Sequence, residues 1–139
     1  MPAENEDFPW RSYYGNYNFF EDRMKQHSSI KKLNRLNRLG DGLYEIQKMN
    51  GDTLRTFICE CYSYGVAEYI ETKDNHGEID AVVINSLWCE YTMEAKHFCF
   101  DEEVGLFVIA DFMAAINQDD HWRYLTEEQS EYFEDNGWL

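Results

Sequence analysis

The sequence predicts one α/β domain in which a mixed β-sheet carries helices on its faces. Two short apolar runs, 79–85 and 104–109, are typical of strands that are buried on both faces. Asn50-Gly51, between two strand-like segments, predicts a β-hairpin. Segments with helical periodicity separate the strands, and a hairpin followed by β-α-β crossovers produces a mixed sheet. A length of 139 residues fits one such domain.

Residues 1–61 are predicted to contain an arm, a helix and the hairpin. Residues 1–20 are rich in aromatic side chains but show no period, which predicts an irregular arm packed on the domain. The segment 21–39 is predicted to be a helix that ends at Gly40. Residues 43–48 and 54–61 are the predicted hairpin strands. The helix prediction depends on apolar residues that recur every three positions, at Ile30, Leu33, Leu36 and Leu39.

Helices and strands alternate in the rest of the domain, which spans 21–118, and an acidic helical tail follows over 119–139. Thr92 is the predicted N-cap of one helix, and Asp111 that of the next. In the tail, Thr126 and Gln129 form a capping-box pattern that predicts a helix start. The predicted elements are a helix over 65–71, a strand over 79–85, a helix over 91–101, a strand over 104–109 and a helix over 111–117.

The charge balance limits the classes of partner. Asp and Glu number 27 against 12 Lys and Arg, which gives a net charge of −15. Such a chain is disfavoured as a general binder of nucleic acid or of an anionic membrane, because both depend on cationic side chains. Lys31, Arg35 and Arg38 would share one side of the predicted helix, where we interpret them as a solvated face. The apolar runs are too short to span a bilayer, and no signal peptide is recognisable, so we expect a soluble, cytoplasmic protein.

The cysteines and histidines do not suggest a metal site. In a cytoplasmic protein the thiols are expected to be reduced and buried. Their spacing contains no C-x-x-C pair, and the four histidines are scattered without a ligand pattern. We therefore expect no metal and no cofactor. The cysteines are Cys59, Cys61, Cys89 and Cys99.

Residues 30–117 follow an element order that resembles the restriction-endonuclease-like fold, in its Mrr-type branch. The apolar strand 81–86, the helix start 91–96 and the strand 105–109 with the short helix after it carry the resemblance. It implies a metal-dependent nuclease, in which two carboxylates hold a divalent cation such as Mg²⁺ and a lysine positions the attacking water. The arm and the tail have no counterpart in that family.

The nuclease motif that the resemblance implies is incomplete in this chain. Glu45 and Glu60 take the two acid positions, but Tyr62 stands where the lysine is needed, and a phenol with a pKa of about 10 supplies no positive charge. A second choice is Asp80 with the E-x-K sequence of Glu94 and Lys96. We expect Glu94 and Lys96 to lie on a helix, where residues two apart do not face the same way.

Three functions from different classes remain open. The first is a small acidic, non-catalytic interaction protein: an inhibitor, an immunity protein or a subunit of a phage-defence complex that binds a basic protein such as a nuclease or nucleic-acid-binding protein. The second is the Mg²⁺-dependent nuclease. The third is a small-molecule-binding α/β domain with its site near Asn85, Ser86 and Ala110, at the carboxyl ends of the strands. For the first function, the tail is the predicted binding surface. Its acidic side chains would attract the basic partner, and its aromatic rings would supply the buried contact area. Its candidate residues are Asp119, Asp120, Trp122, Glu127, Glu128, Glu131, Tyr132 and Glu134.

Overall fold

The structure of the protein, a computed structural model, describes residues 7–12, 14–85 and 89–139. The helices of these residues are α1 (Tyr14–Gln26), α2 (Val66–His76), α3 (Met93–Asp101), α4 (Ile109–Ala115) and α5 (Glu127–Asp135). The strands are β1 (Ile30–Arg35), β2 (Leu43–Lys48), β3 (Thr53–Cys59), β4 (Ser63–Tyr64), β5 (Ala81–Ile84), β6 (Glu90–Tyr91) and β7 (Gly105–Val108). A 3₁₀ turn covers His121–Arg123.

The main sheet is mixed, as the sequence predicts. Its five strands lie in the order β1-β2-β3-β5-β7. Strands β1, β2 and β3 are antiparallel, whereas β5 and β7 run parallel to β3. Strands β4 and β6 form a separate parallel pair of two residues each. The prediction of an α/β domain with a mixed sheet and helices on its faces is therefore confirmed.

Each face of the main sheet has its own hydrophobic core, because side chains along a strand alternate between the faces. Phe57 and Val82 point to the side where Tyr69 of α2 and Ala95 of α3 are buried. Val83 points to the other side, together with residues of α1 and α4. That second core contains Tyr17, Phe20 and Met24 of α1, and Phe112 of α4.

The predictions for residues 1–39 are wrong in two respects. The segment 30–39 is not helical, because Ile30–Arg35 forms the edge strand β1. A register shift between Ile30 and Lys32 puts Ile30 and Leu33 on the same face of this strand, so a strand with a bulge imitates the helical spacing. Arg35 is therefore not part of a helical basic face.

The predicted irregular arm is also too long, because α1 begins at Tyr14 and buries aromatic side chains against the sheet. Residues 7–12 do lack helix and strand, and residues 1–6 and 13 lie outside the described part of the chain. Glu21 of α1 is almost completely buried and ties the helix to the sheet. Its carboxylate accepts hydrogen bonds from Arg35 Nε at 2.7 Å and from the Tyr44 hydroxyl at 2.8 Å.

The other predicted elements agree with the structure to within a few residues, apart from a longer α2. Thr92 accepts a hydrogen bond from the Ala95 amide at 3.1 Å, and Thr126 forms the predicted capping box with Gln129. Helix α4 begins two residues before Asp111, and its N-cap is Val108, so the predicted cap is wrong. No described helix has the length and apolar character needed to cross a membrane.

Candidate functional site

Glu45 and Glu60 do not form a common metal site. Glu45 lies on β2 opposite Arg55 of β3, and Glu60 lies five residues beyond Arg55. At about 3.4 Å per residue, this separates the two backbone positions by roughly 17 Å. The offset is odd, so the two carboxylates also belong to opposite faces of the sheet.

Glu60 instead fastens the N-terminal residues to the end of β3. Its carboxylate accepts a hydrogen bond from Ser12 Oγ at 2.7 Å and a longer one from Asn16 Nδ2 at 3.5 Å. Its backbone amide donates to the Trp10 carbonyl at 2.9 Å. Tyr62, at the position where the nuclease family requires lysine, lies in the following turn and is 43% exposed.

The second set of nuclease candidates is also dispersed. Asp80 accepts a hydrogen bond from the Arg55 amide at 2.8 Å, and so organises the turn before β5. Glu94 is exposed on α3, whereas Lys96 is buried beneath the same helix. The expectation that these two residues lie on a helix and face different ways is confirmed. No group of three or more His, Cys, Asp or Glu side chains among the described residues is placed to hold a metal ion.

Lys96 has a structural environment that the sequence does not reveal. Its Nζ donates to the Leu106 carbonyl at 2.5 Å and lies 4.1 Å from the centroid of the Phe107 ring. The Gly105 amide donates to the Asp80 carbonyl, on the side of β7 that faces β5. Backbone groups of successive strand residues point in opposite directions, so the Leu106 carbonyl points to the free edge of β7. Burial lowers the Lys96 pKa to about 7, although the negative charge of Asp111 acts in the opposite direction. We interpret Lys96 as a cap on the edge strand.

The four cysteines are free and buried, as the sequence predicts. Burial raises the pKa of Cys61 and of Cys99 to about 12, and that of Cys59 is raised well above its usual value. A thiol is reactive as the thiolate, so this environment disfavours nucleophilic and redox chemistry at these positions.

The carboxyl ends of the parallel strands provide one feature in favour of small-molecule binding. Asn85, which follows β5, is buried, and its amide nitrogen has no hydrogen-bond partner among the described residues. Ser86 lies outside those residues, and Ala110 is exposed on α4. The small-molecule alternative therefore depends on Asn85 alone.

The tail forms an ordered acidic surface on α5. Phe133 is completely buried against α3, with its ring centroid 5.4 Å from that of Phe100. Gln129 Nε2 donates to the Tyr91 hydroxyl at 2.6 Å and fixes the start of the helix. The opposite side of α5 is exposed and carries Glu127, Glu128, Glu131, Tyr132, Glu134 and Asp135. We call this set the α5 acidic face.

The other predicted partner-binding residues lie in the turn before α5. Asp119 and Asp120 are exposed, and Asp120 forms a 3.5 Å ion pair with exposed Arg123. Trp122 is half-buried, with its ring centroid 5.3 Å from that of Phe100. The structure therefore places the acids of the tail in solvent but uses Trp122 and Phe133 mainly for internal packing.

Comparison with protein-family models, with curated proteins and with solved structures finds no match to this chain. The choice between the candidate sites therefore depends on their geometry. The candidate metal ligands are dispersed, whereas the acids of the α5 acidic face share one exposed helix surface.

We expect no Mg²⁺- or Mn²⁺-dependent cleavage of DNA or RNA by the purified chain. The physical reason is that Glu45 and Glu60 lie on opposite sheet faces, and Glu94 and Lys96 on opposite sides of α3. Labelled single- and double-stranded oligonucleotides, incubated with each metal and resolved by electrophoresis, provide the measurement. Cleavage that persists through purification and disappears in a folded Glu60→Gln or Glu94→Gln variant would contradict this expectation.

Proposed function

We propose that the protein is a non-catalytic interaction protein that binds a basic protein partner through the α5 acidic face. The supporting observation is that Phe133 anchors α5 on the domain while its acids remain in solvent. Within the described part of the chain, none of the five acids of the face forms an ion pair. An ordered helix of uncompensated carboxylates suits electrostatic steering of a cationic partner.

The distribution of acids along α5 is unfavourable for the helix itself. Glu127 and Glu128 lie in the first turn, where the helix dipole favours negative charge. Glu134 and Asp135 lie in the last turn, where the dipole disfavours it, and that turn contains no basic residue. Glu131 is also four residues from both Glu127 and Asp135, a spacing at which like charges repel. A bound cationic surface would relieve this repulsion, which supports a binding role.

The partner that fits this face is rich in arginine and lysine, as are nucleases and nucleic-acid-binding proteins. Tyr132 is 40% exposed within the face and Leu139 is 61% exposed at the end of the chain, so both offer apolar contact area. A ring surrounded by charges is a common anchor at protein interfaces. Inhibitor, immunity protein and defence-complex subunit are the roles that we propose for such a binder.

For the scaffold we propose a restriction-endonuclease-like domain that has lost its catalytic set. The element order supports this proposal: α1, an antiparallel three-stranded unit, the crossover helix α2, strand β5, helix α3, strand β7 and the short helix α4. The dispersed carboxylates support the loss of catalysis. Both inferences are independent of whether the α5 acidic face binds a partner.

Neutralising the α5 acidic face is expected to abolish capture of the native partner. In this variant Glu127, Glu128, Glu131 and Glu134 are replaced by Gln, and the association rate is expected to fall by about tenfold or more at low salt. The matched control carries the same change of four charges on exposed acids elsewhere: Asp22→Asn, Glu71→Gln, Asp74→Asn and Glu78→Gln. Co-purification identifies the partner, and surface plasmon resonance at several salt concentrations measures the rates.

The comparison of the two variants is decisive because both carry the same net charge. If only general charge attraction operates, the α5 variant and the control will lose association rate equally, and the proposed face is wrong. An association rate that does not change with salt would contradict the electrostatic mechanism. Circular dichroism of both variants checks that the fold is retained.

A further inference from the structure

His76, the last residue of α2, packs against two phenylalanine rings. Its ring centroid is 5.1 Å from that of Phe8 and 5.1 Å from that of Phe57. Its Nε2 is buried and has no hydrogen-bond partner among the described residues. Phe8 belongs to the segment 7–12, which we call the Phe8 segment, and it also stacks on Phe57 at 5.4 Å.

This environment suits a neutral imidazole. A neutral ring leaves one nitrogen without a proton, and Nε2 can be that nitrogen at modest cost. An imidazolium carries N–H groups on both nitrogens, so protonation would place an unsatisfied donor and a positive charge against two apolar rings. Burial, with a smaller contribution from the positive charge of Arg55, holds the His76 pKa below its usual value.

The charges on the surrounding elements do not compensate a protonated His76. Asp41, which precedes β2, raises the His76 pKa, but its carboxylate is already bound by Arg11 at 2.8 Å and lies 3.7 Å from Arg38. The His76 carbonyl at the end of α2, which would otherwise favour a cation, accepts a hydrogen bond from Arg55, as does the Glu78 carbonyl just after the helix. The remaining charged groups of the adjacent segments are exposed to solvent: Asp7, Lys73 and Glu78.

We propose that neutral His76 holds the Phe8 segment on the domain and that protonation of this imidazole releases it. When Phe8 leaves, the His76 ring gains access to water and the charge becomes solvated. Trp10, which packs against Phe57 and Tyr64, loses its edge-to-face contact with Phe8. The Phe8 segment therefore covers an apolar surface of the sheet at neutral pH and exposes it at acidic pH.

The sign of the effect follows from proton linkage. The open state, with His76 in water, binds a proton more readily than the closed state, so opening becomes more favourable as the pH falls below about 6.5. One proton changes the opening equilibrium by at most about tenfold per pH unit. Above that range both states are neutral, and no pH dependence is expected.

NMR-detected hydrogen exchange on the full chain between pH 7.5 and 5 tests this proposal. The reporters are the amides of Trp10, Ser12 and Glu60, whose hydrogen bonds involve the Phe8 segment. Rates are corrected for intrinsic exchange, and the Lys96 and Cys99 amides of α3 report global unfolding in the same sample. We expect the reporter protection factors to fall severalfold toward pH 5, while the α3 amides change less.

Two variants provide the controls. In His76→Phe the ring position is kept without a titratable group, so the reporter protection is expected to be independent of pH. In Phe8→Ala the reporters are expected to be weakly protected at every pH. Reporter protection that does not change with pH in the native chain would overturn the proposal. The same pH dependence in native chain and His76→Phe would assign it to another group, which also overturns it.

Discussion

Replacing Lys96 with methionine is expected to remove a rise in stability between pH 7 and about 8.5. The Lys96 pKa is about 7 in the folded protein and 10.5 for the free side chain. Between these values the unfolded chain binds more protons than the folded chain, so the free energy of unfolding increases with pH. The slope is at most about 1.4 kcal/mol per pH unit, which gives a rise of about 1–2 kcal/mol over this window.

Below pH 7 the folded protein retains the full cost of the buried charge, so no further rise from Lys96 is expected there. Above about 8.5 the cysteines act in the opposite direction. Their thiols ionise in the unfolded chain but stay protonated in the fold, where burial raises the pKa of Cys99 to about 12. The window between these limits therefore isolates the lysine.

Urea denaturation at several pH values across this window measures the slope. Lys96→Met keeps the length and volume of the side chain while losing the charge and the hydrogen bond to Leu106, so the slope, not the absolute stability, is the informative quantity. Lys32→Met is the matched control because Lys32 is exposed on β1. If the Lys96→Met slope equals that of the native chain, another group is responsible.

Lys96 also shows which part of the candidate sites the sequence could not reveal. Its partner Leu106 is ten residues away, and the carbonyl is available only because β7 is the edge strand of the sheet. The sequence spacing predicts that Glu94 and Lys96 lie on a helix and point in different directions, and this prediction is correct. The burial of Lys96 depends on the order of the strands in the sheet, and no local sequence pattern indicates that order.

The fold could be predicted where the local signals agree with the tertiary contacts. Strands β5 and β7 are buried on both faces and are therefore continuously apolar, which makes them recognisable in the sequence. Thr92 and Thr126 are likewise recognisable as N-caps. Strand β1 could not be predicted because its bulge changes the period of the apolar residues from two to three. A register shift arises from pairing with β2, so the isolated segment gives a misleading period.

For the tail, composition predicts the exposed acids but not which ring faces inward. Tyr132 and Phe133 are neighbours in the sequence with similar hydrophobic area, so composition alone does not assign one to packing and the other to binding. The capping contact of Gln129 with Tyr91 sets the rotation of α5 and directs Phe133 toward α3. The exposed position of Tyr132 is a consequence of this rotation.

Phe133→Ala is accordingly expected to destabilise the protein far more than Tyr132→Ala. Phe133 is fully buried and its ring meets Trp138 and Phe100 at centroid distances of 5.3 and 5.4 Å. Truncation of a buried phenylalanine costs about 3–5 kcal/mol, since it removes apolar contact and leaves a cavity. Tyr132 is 40% exposed, so its truncation is expected to cost less than about 1 kcal/mol.

Denaturation curves of the two alanine variants and of Phe133→Leu measure these differences at neutral pH. The leucine variant fills most of the site and is expected to recover more than half of the loss. If α5 unfolds separately from the sheet, the loss appears as faster hydrogen exchange in 127–135 before global unfolding. Equal losses for Phe133→Ala and Tyr132→Ala would mean that α5 does not pack on α3 through Phe133. The α5 acidic face would then lack the rigid support on which the proposed binding depends.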